Sequence, residues 1–285
     1  MLTTLDHIVI AVRDLATATD LYGRLLGRRP SWRGTHPAYG TANTLFRLEN
    51  IYVELLSPVG PGAFADWLTG SLAKRGEGLF ALAFGTADAE ALARELRARG
   101  LGATDPIDGA GNESTTGAER RWRNVMLAES QTHGVPLFAI EHRSSPDLLP
   151  PAEATGDSRS AIVAVDHVVV NSPAPDRAID LYRDKLGLRL ALDRSFPDWG
   201  ARLLFFRIGG ITVELAAPLA GNDPQGEDRL WGVSYRTADI DAAHERLVNA
   251  GFDPSEVRRG RKPGTRVLTV RGEPCGVATL LLARE

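Results

Sequence analysis

The chain has 285 residues, of which 43% are apolar and 24% charged, with a formal net charge of −3. Such a composition can bury a core, excludes a disordered acidic or basic chain, and at this length suits two domains or one body of smaller units. A pI near 6.1 gives no reason to expect nucleic acid as a partner, and the short run Arg258, Arg259, Arg261, Lys262 reads as a solvated loop. Cys275 is the single cysteine, so no internal disulfide is possible and a reducing, cytoplasmic setting is expected. No apolar run approaches the roughly 20 residues of a membrane span, and the first strand begins too early to leave room for a signal peptide.

In chain order, Asp6 to Val12 reads as a strand, with Ile8, Ile10 and Val12 on one side and His7, Val9 and Ala11 on the other. Asp14 is placed to cap a helix whose apolar face holds Leu15, Ala18, Leu21, Tyr22 and Leu25, and which Gly27 closes. Three strands follow, near Ser31 to Arg33, Thr44 to Leu48 and Ile51 to Ser57; in the last, Tyr52, Glu54 and Leu56 share a face. A connector carries a short helix over Ala65 to Ala73. The second unit reads as a strand (Leu79 to Asp88), a helix (Ala89 to Arg99), a loop or frayed hairpin (Asp105 to Glu119) and strands near Arg121 to Leu127 and Val135 to His142. Ser144 to Ser160, with Pro146, Pro150 and Pro151, has the composition of a linker.

Beyond the linker the first unit returns. LDHIVIAV from Leu5 is echoed by VDHVVVNS from Val165, and an offset of 160 holds without a gap to Pro58 and Pro218. Asp6, His7, Tyr22, Gly27 and Glu54 recur as Asp166, His167, Tyr182, Gly187 and Glu214. The fourth unit, from about Asp228, repeats the second: a strand over Trp231 to Asp239, a helix over Ile240 to Ala250, and strands over Arg266 to Val270 and Val277 to Ala283. The chain thus reads as four copies of one βαβββ unit.

Four such units, opened by an Asp-His strand or its variant and closed by a Val-Glu-Leu strand, resemble the vicinal oxygen chelate superfamily, which includes glyoxalase I, extradiol dioxygenases and bleomycin-resistance proteins. His36-Pro37 with Gly40-Thr41 and Asn43, Arg121-Trp122-Arg123, and the stretch from Pro136 to Glu141 are similar to a glyoxalase-like domain of that superfamily. The resemblance implies an α+β fold in which modules pair into two cup-shaped domains: residues 1–143, a linker at 144–160, and residues 161–285. It also implies metal ligands on first and fourth strands. Position by position these are His7, Glu54 and Glu141, with His167 and Glu214 as the second choice. The second unit has Ala81 where a histidine is expected, and the fourth has Gly232 and Ala283. A two-histidine, one-carboxylate iron site therefore cannot be assembled from any adjacent pair.

A divalent metal (Zn, Ni, Mn, Co or Fe) held by His7, Glu54 and Glu141 would suit a lyase or isomerase working through an enediolate, with Glu54 or Glu141 as the catalytic base. His36, Asn43, Tyr52, Arg121 and Arg123 are the expected substrate contacts. If Arg121 or Arg123 instead neutralises Glu54 and Glu141, the cup becomes a metal-free site for binding or sequestering a small molecule. A ring-cleaving dioxygenase stands third. The expected partner is a small molecule rather than nucleic acid or a membrane, and the expected state is a monomer or homodimer. Pairing the units in order unites His7, Glu54 and Glu141. Pairing the second with the third would unite Glu141, His167 and Glu214. The position of the linker favours the first arrangement.

Overall fold

The computed structural model describes residues 1–285. Its first unit is β1 (Leu2–Ala11), α1 (Leu15–Leu26), β2 (Trp32–His36), β3 (Thr41–Arg47) and β4 (Tyr52–Pro58). Asp14 starts α1 by accepting from the Thr17 amide at 3.0 Å, and Gly27 ends it in the left-handed region, φ 65°. The connector forms α2 (Ala63–Arg75). The second unit is β5 (Gly78–Thr86), α3 (Ala89–Ala98), β6 (Ile107–Glu113), β7 (Glu119–Met126) and β8 (Leu137–His142).

The third unit comprises β9 (Ile162–Asn171), α4 (Pro175–Ile179) running into a π-helical turn over Asp180–Lys185, β10 (Arg189–Phe196), β11 (Ala201–Ile208) and β12 (Ile211–Pro218). The fourth comprises β13 (Arg229–Thr237), α5 (Ile240–Asn249), the two-residue strands β14 (Asp253–Pro254) and β15 (Arg258–Arg259), β16 (Thr265–Arg271) and β17 (Ala278–Arg284). No helix is long and apolar enough to cross a membrane.

Units pair in chain order. β1 runs antiparallel to β5 and parallel to β4, and the first two units close a barrel in the order β1-β4-β3-β2-β6-β7-β8-β5. β9 and β13 make the equivalent contact in the second half, but there the sheet stays open between β10 and β14. The difference lies in β6. The Asp105 to Glu119 stretch, read from sequence as loop or frayed hairpin, forms β6 and the turn of a regular β6–β7 hairpin, and β6 also meets β2 at Gly34↔Glu113 and Thr35↔Asn112. Glycine is what admits that contact: a Cβ on Gly34 would lie 2.3 Å from Trp32 Nε1 and 2.7 Å from the Asn112 carbonyl.

The alternation along β1 sorts the chain into two environments. Ile8 and Ile10 join Val168, Val170 and the apolar faces of α1, α3 and α5 in one core shared by both halves. His7 and Val9 instead face the barrel interior. Arginines from one half close the helix ends of the other. Arg246 of α5 donates to the Arg24 carbonyl at 2.5 Å and the Leu25 carbonyl at 3.0 Å, satisfying the last carbonyls of α1, and its Nε reaches the Ser160 carbonyl at 3.1 Å. Arg99, at the end of α3, makes the corresponding contact to the Lys185 carbonyl at 3.1 Å.

Burial holds the Arg246 guanidinium down to about 10, so its charge is kept at neutral pH. We expect Arg246→Ala to lower the unfolding free energy in urea by about 2–4 kcal/mol, because three carbonyls lose a charged donor. Arg99→Ala, with its single reach across the boundary, should cost under about 1 kcal/mol. Equal midpoints for the two variants would rule out this asymmetry.

Candidate functional site

The barrel encloses a cavity of about 240 Å³. Side chains that alternate inward along each strand build its wall: Trp32 and His36 from β2, Thr41, Asn43 and Leu45 from β3, Tyr52, Glu54 and Leu56 from β4, Arg120, Trp122, Asn124 and Met126 from β7, and Phe138 and Ile140 from β8. Phe64 and Trp67 of α2 cover one end. The wall is apolar and aromatic with a few polar groups converging on one side, the usual anatomy of a small-molecule site.

Those polar groups form a chain of contacts. His7, 2% exposed, donates from Nδ1 to Asp6 Oδ1 at 2.7 Å, which turns its Nε2 toward Glu54 Oε2 at 3.4 Å. Glu54 accepts the Asn43 amide at 2.7 Å through its other oxygen. Asp6 accepts in addition from His142 Nε2 at 3.0 Å. Tyr52 stacks on the His7 ring, with centroids 4.3 Å apart.

Burial alone would lower the His7 pKa, but its hydrogen bonds to Asp6 and Glu54 and their negative charges outweigh this and hold it above the ordinary value. Burial would raise Glu54; the His7 hydrogen bond and charge, with help from His36 and Asn43, bring it below the ordinary carboxylate value instead. Asp6 is lowered for the same reasons, through His142 and His7. Both directions favour the imidazolium–carboxylate form of the pair. His36 goes the other way. Burial lowers its pKa, Arg120 adds to that, and the opposing pull of Glu54 does not offset them, so it is neutral, with Nδ1 hydrogen-bonded to Thr41 Oγ1 at 3.0 Å.

Of the residues singled out in the sequence, the structure gathers His7, Glu54, His36, Asn43 and Tyr52 around the cavity. Glu141, Arg121 and Arg123 are not there. Glu141 lies on the outer face of β8, accepting the Ala89 amide at the start of α3 at 3.0 Å and Arg143 Nη1 at 2.5 Å. These donors, with the nearby charge of Arg123, overcome burial and keep it ionised. It is a helix-end anchor rather than a cup ligand. Arg121 bonds Glu119 and Arg123 bonds Glu90, both on the outer face of β7.

The physical reason is register. Glu54 stands beside Val9 in the β1/β4 pair, and Phe138 stands beside Ala83 in the β5/β8 pair. Aligning the capping Asp88 with Asp14 equates Val9 with Ala83, so Phe138 occupies the Glu54 position. One shift in parity moves Glu141, Arg121 and Arg123 out and brings Arg120, Trp122 and His142 to the inner face. Strand alternation anchored on Trp122 could have found Arg120. Asp6 carried its signal in the repeat, as Asp166.

The residues present do not fit a metal centre of one histidine and two glutamates. Of those three only His7 and Glu54 face the cavity, they bond each other, and no cluster of three histidine, cysteine or acidic residues, the lining His36 included, has the geometry to hold an ion. In the second half Asp166, His167 and Glu214 keep the arrangement, at 2.9 Å and 3.5 Å, on the open sheet. There Asn43, His36 and Tyr52 are replaced by Leu203, Phe196 and Thr212. Burial outweighs the His167 and Arg261 charges there and the Glu214 pKa is raised.

Comparison with known proteins supports the fold. The glyoxalase-like domain family matches residues 5–161, and the glyoxalase/bleomycin resistance protein/dioxygenase superfamily matches residues 166–269. An ethylmalonyl-CoA/methylmalonyl-CoA epimerase of Cereibacter sphaeroides is 32% identical over 94 residues, covering 30% of this chain and 70% of that protein. Among solved structures, a mutant of 4-hydroxymandelate synthase from Streptomyces coelicolor superposes with a TM-score of 0.71 at 14% identity, over 100% of this chain and 93% of its own. The Mn(II)-bound glyoxalase from Novosphingobium aromaticivorans gives 0.64 at 14% identity, over 99% and 82%. At that identity the two structures speak for the fold alone.

The His7–Glu54 pair makes stability depend on pH in a defined direction. A raised His7 pKa contributes stability that is full below the unfolded value of 6.5 and is lost as pH rises through the folded one. A lowered Glu54 pKa contributes stability that is full above 4.5 and is lost as pH falls through the folded one. The stability difference between the wild type and His7→Gln should therefore peak between pH 4.5 and 6.5 and shrink toward alkaline pH in urea titrations. A difference that grows with pH would mean that His7 is buried neutral.

Proposed function

The chain belongs to the glyoxalase-like domain family of the vicinal oxygen chelate superfamily, and we propose that its first cup binds a small oxygenated molecule on which the His7–Glu54 pair transfers a proton. The observation that carries this reading is the buried Asp6–His7–Glu54 chain inside an otherwise apolar and aromatic cavity. Asp6 fixes the tautomer and orientation of His7. His7 holds Glu54 ionised in a site where an isolated carboxylate would be costly. Glu54 can then take a proton from a carbon next to a carbonyl, and the adjacent imidazolium balances the negative charge that develops on the carbonyl oxygen. Return of that proton from Glu54 to the opposite face of the enolate, once it has turned in the cup, completes an epimerisation, and its return to a different carbon completes an isomerisation, with no net oxidation.

Cup size and wall chemistry support a small substrate, and the reaction class is in keeping with an epimerase among the chain's relatives. A second reading, binding without chemistry, is favoured by one observation: the Glu141 carboxylate expected to complete a metal centre is engaged at α3 instead.

The two readings differ in solvent exchange. Incubation in D2O with a panel of 2-oxo acids and acyl thioesters, followed by NMR, should show deuterium entering the carbon next to the carbonyl of at least one ligand. Glu54→Gln should slow that exchange by about 10²–10⁴-fold with binding retained, and prior chelation should leave the wild-type rate unchanged. Tight binding without exchange would move the assignment to the sequestering reading, and loss of exchange on chelation would restore a metal to the mechanism.

A further inference from the structure

We infer that the ligand of the first cup carries a carboxylate, held by Arg120, on a flat one-ring apolar body; this rests on the reading that the cup is a ligand site. Arg120 is 8% exposed and lines the cavity, yet its guanidinium has no ion pair and no hydrogen bond. Two part-buried arginines make a contrast, although the Arg177 Nε itself has no partner. Arg177 reaches Asp228 and two backbone carbonyls, and Arg246 reaches three carbonyls. None of the Arg120 nitrogens is among the sealed, unpaired polar atoms of the chain, so they open onto the cavity, and an arginine that keeps its proton there calls for an anion.

What surrounds Arg120 leaves its donors free and fixes their direction. Its guanidinium lies 5.5 Å from the Trp32 ring and 5.8 Å from the Tyr52 ring. Such contacts use the charge and the flat faces of an arginine and leave its edge of N–H groups available. The nearby carboxylates are already engaged, Asp6 by His7 and His142, and Glu54 by His7 and Asn43. A planar, bidentate acceptor brought in by a ligand matches that edge. A monoanion suits the site better than a phosphate dianion, because Asp6 and Glu54 together outweigh the single charge of His7 and leave the group beside Arg120 net negative. The body of the ligand is set by the rest of the wall. Trp122, Phe138 and Phe64 are aromatic surfaces around a space of about 240 Å³. Gly111 offers no room for more bulk, since a Cβ there would come within 2.9 Å of the His36 ring and 3.2 Å of Trp122.

The test uses the full chain and two probes of nearly equal shape, 4-fluorophenylacetate and the uncharged 4-fluorophenylacetamide, titrated by 19F NMR. The acid should bind the wild type at least about tenfold more tightly than the amide, the value of a charge-assisted hydrogen bond in a desolvated site. Arg120→Gln should erase that preference and leave amide binding within about twofold, and Arg120→Lys, which keeps the charge, should retain part of it. Equal binding of acid and amide to the wild type, unchanged acid affinity in Arg120→Gln, or no binding of either probe overturns the proposal. The wild-type acid–amide comparison stands even if a variant fails to fold. The imidazole signals of His7 and His36, followed in the same titrations, separate the two claims. If both probes bind with equal affinity and shift them alike, the cup reading survives and the carboxylate assignment fails. If the probes bind and leave them unmoved, the cup reading itself fails.

Discussion

Everything inside the first half depends on a short seam between two strands. β2 and β6 meet over two residue pairs, and that contact turns a strongly bent sheet into a closed barrel. Without it Trp32 and His36 would sit on an exposed edge, and the imidazole of His36 would not be desolvated. The seam rests on glycines at places where a side chain would hold the strands apart: Gly34 under the Trp32 indole, Gly109 and Gly111 under Trp122. Small residues on the backbone side and large rings on the cavity side are one device. The space given up by the glycines is filled by aromatic wall, which excludes water and so strengthens each electrostatic contact made within.

The second half keeps the plan and loses the site. Its Asp166–His167–Glu214 chain has nearly the geometry of Asp6–His7–Glu54, which indicates that backbone position alone sets this arrangement. What differs is the surroundings. With no counterpart of the β2–β6 seam, Trp199 and Trp231 are exposed, and Glu214 has no counterpart of the Asn43 amide that Glu54 accepts. The second half still has a structural task. Its outer face completes the core shared with α1 and α3, and its arginine closes the end of α1.

Most of the fold was legible because the repeat fixes it. A gapless echo with capping aspartates and terminal glycines leaves little freedom in where strands and helices fall. The inward face of β1 and β4 was legible too, since Ile8, Ile10, Val53 and Leu55 mark the opposite side. Strands β7 and β8 carried no such mark. Arg120, Arg121 and Arg123 flank one tryptophan, and Leu137 to Ile140 is apolar on both faces, so polarity alone could not say which arginine or which glutamate looks inward. Pairing partners decide it, and those are long-range facts. β6 was hidden for a different reason. Its glycines and polar residues have weak strand propensity, and only the tertiary need to close the barrel makes it extended.

The open second sheet exposes a hazard that the closed one avoids. β10 pairs with β11 on one side only, so its other side presents free backbone donors and acceptors to any strand of another molecule. Such edges seed aggregation unless they are protected. Here the protection is ionic. Arg189, Asp193 and Arg194 punctuate the strand, Arg202 ties Asp193 to the neighbouring strand at 2.8 Å, and Arg194 lies over Phe196. A foreign strand would have to strip these charges of water to dock. A half without a closed cavity thus guards its rim by decorating it with charge rather than by sealing it.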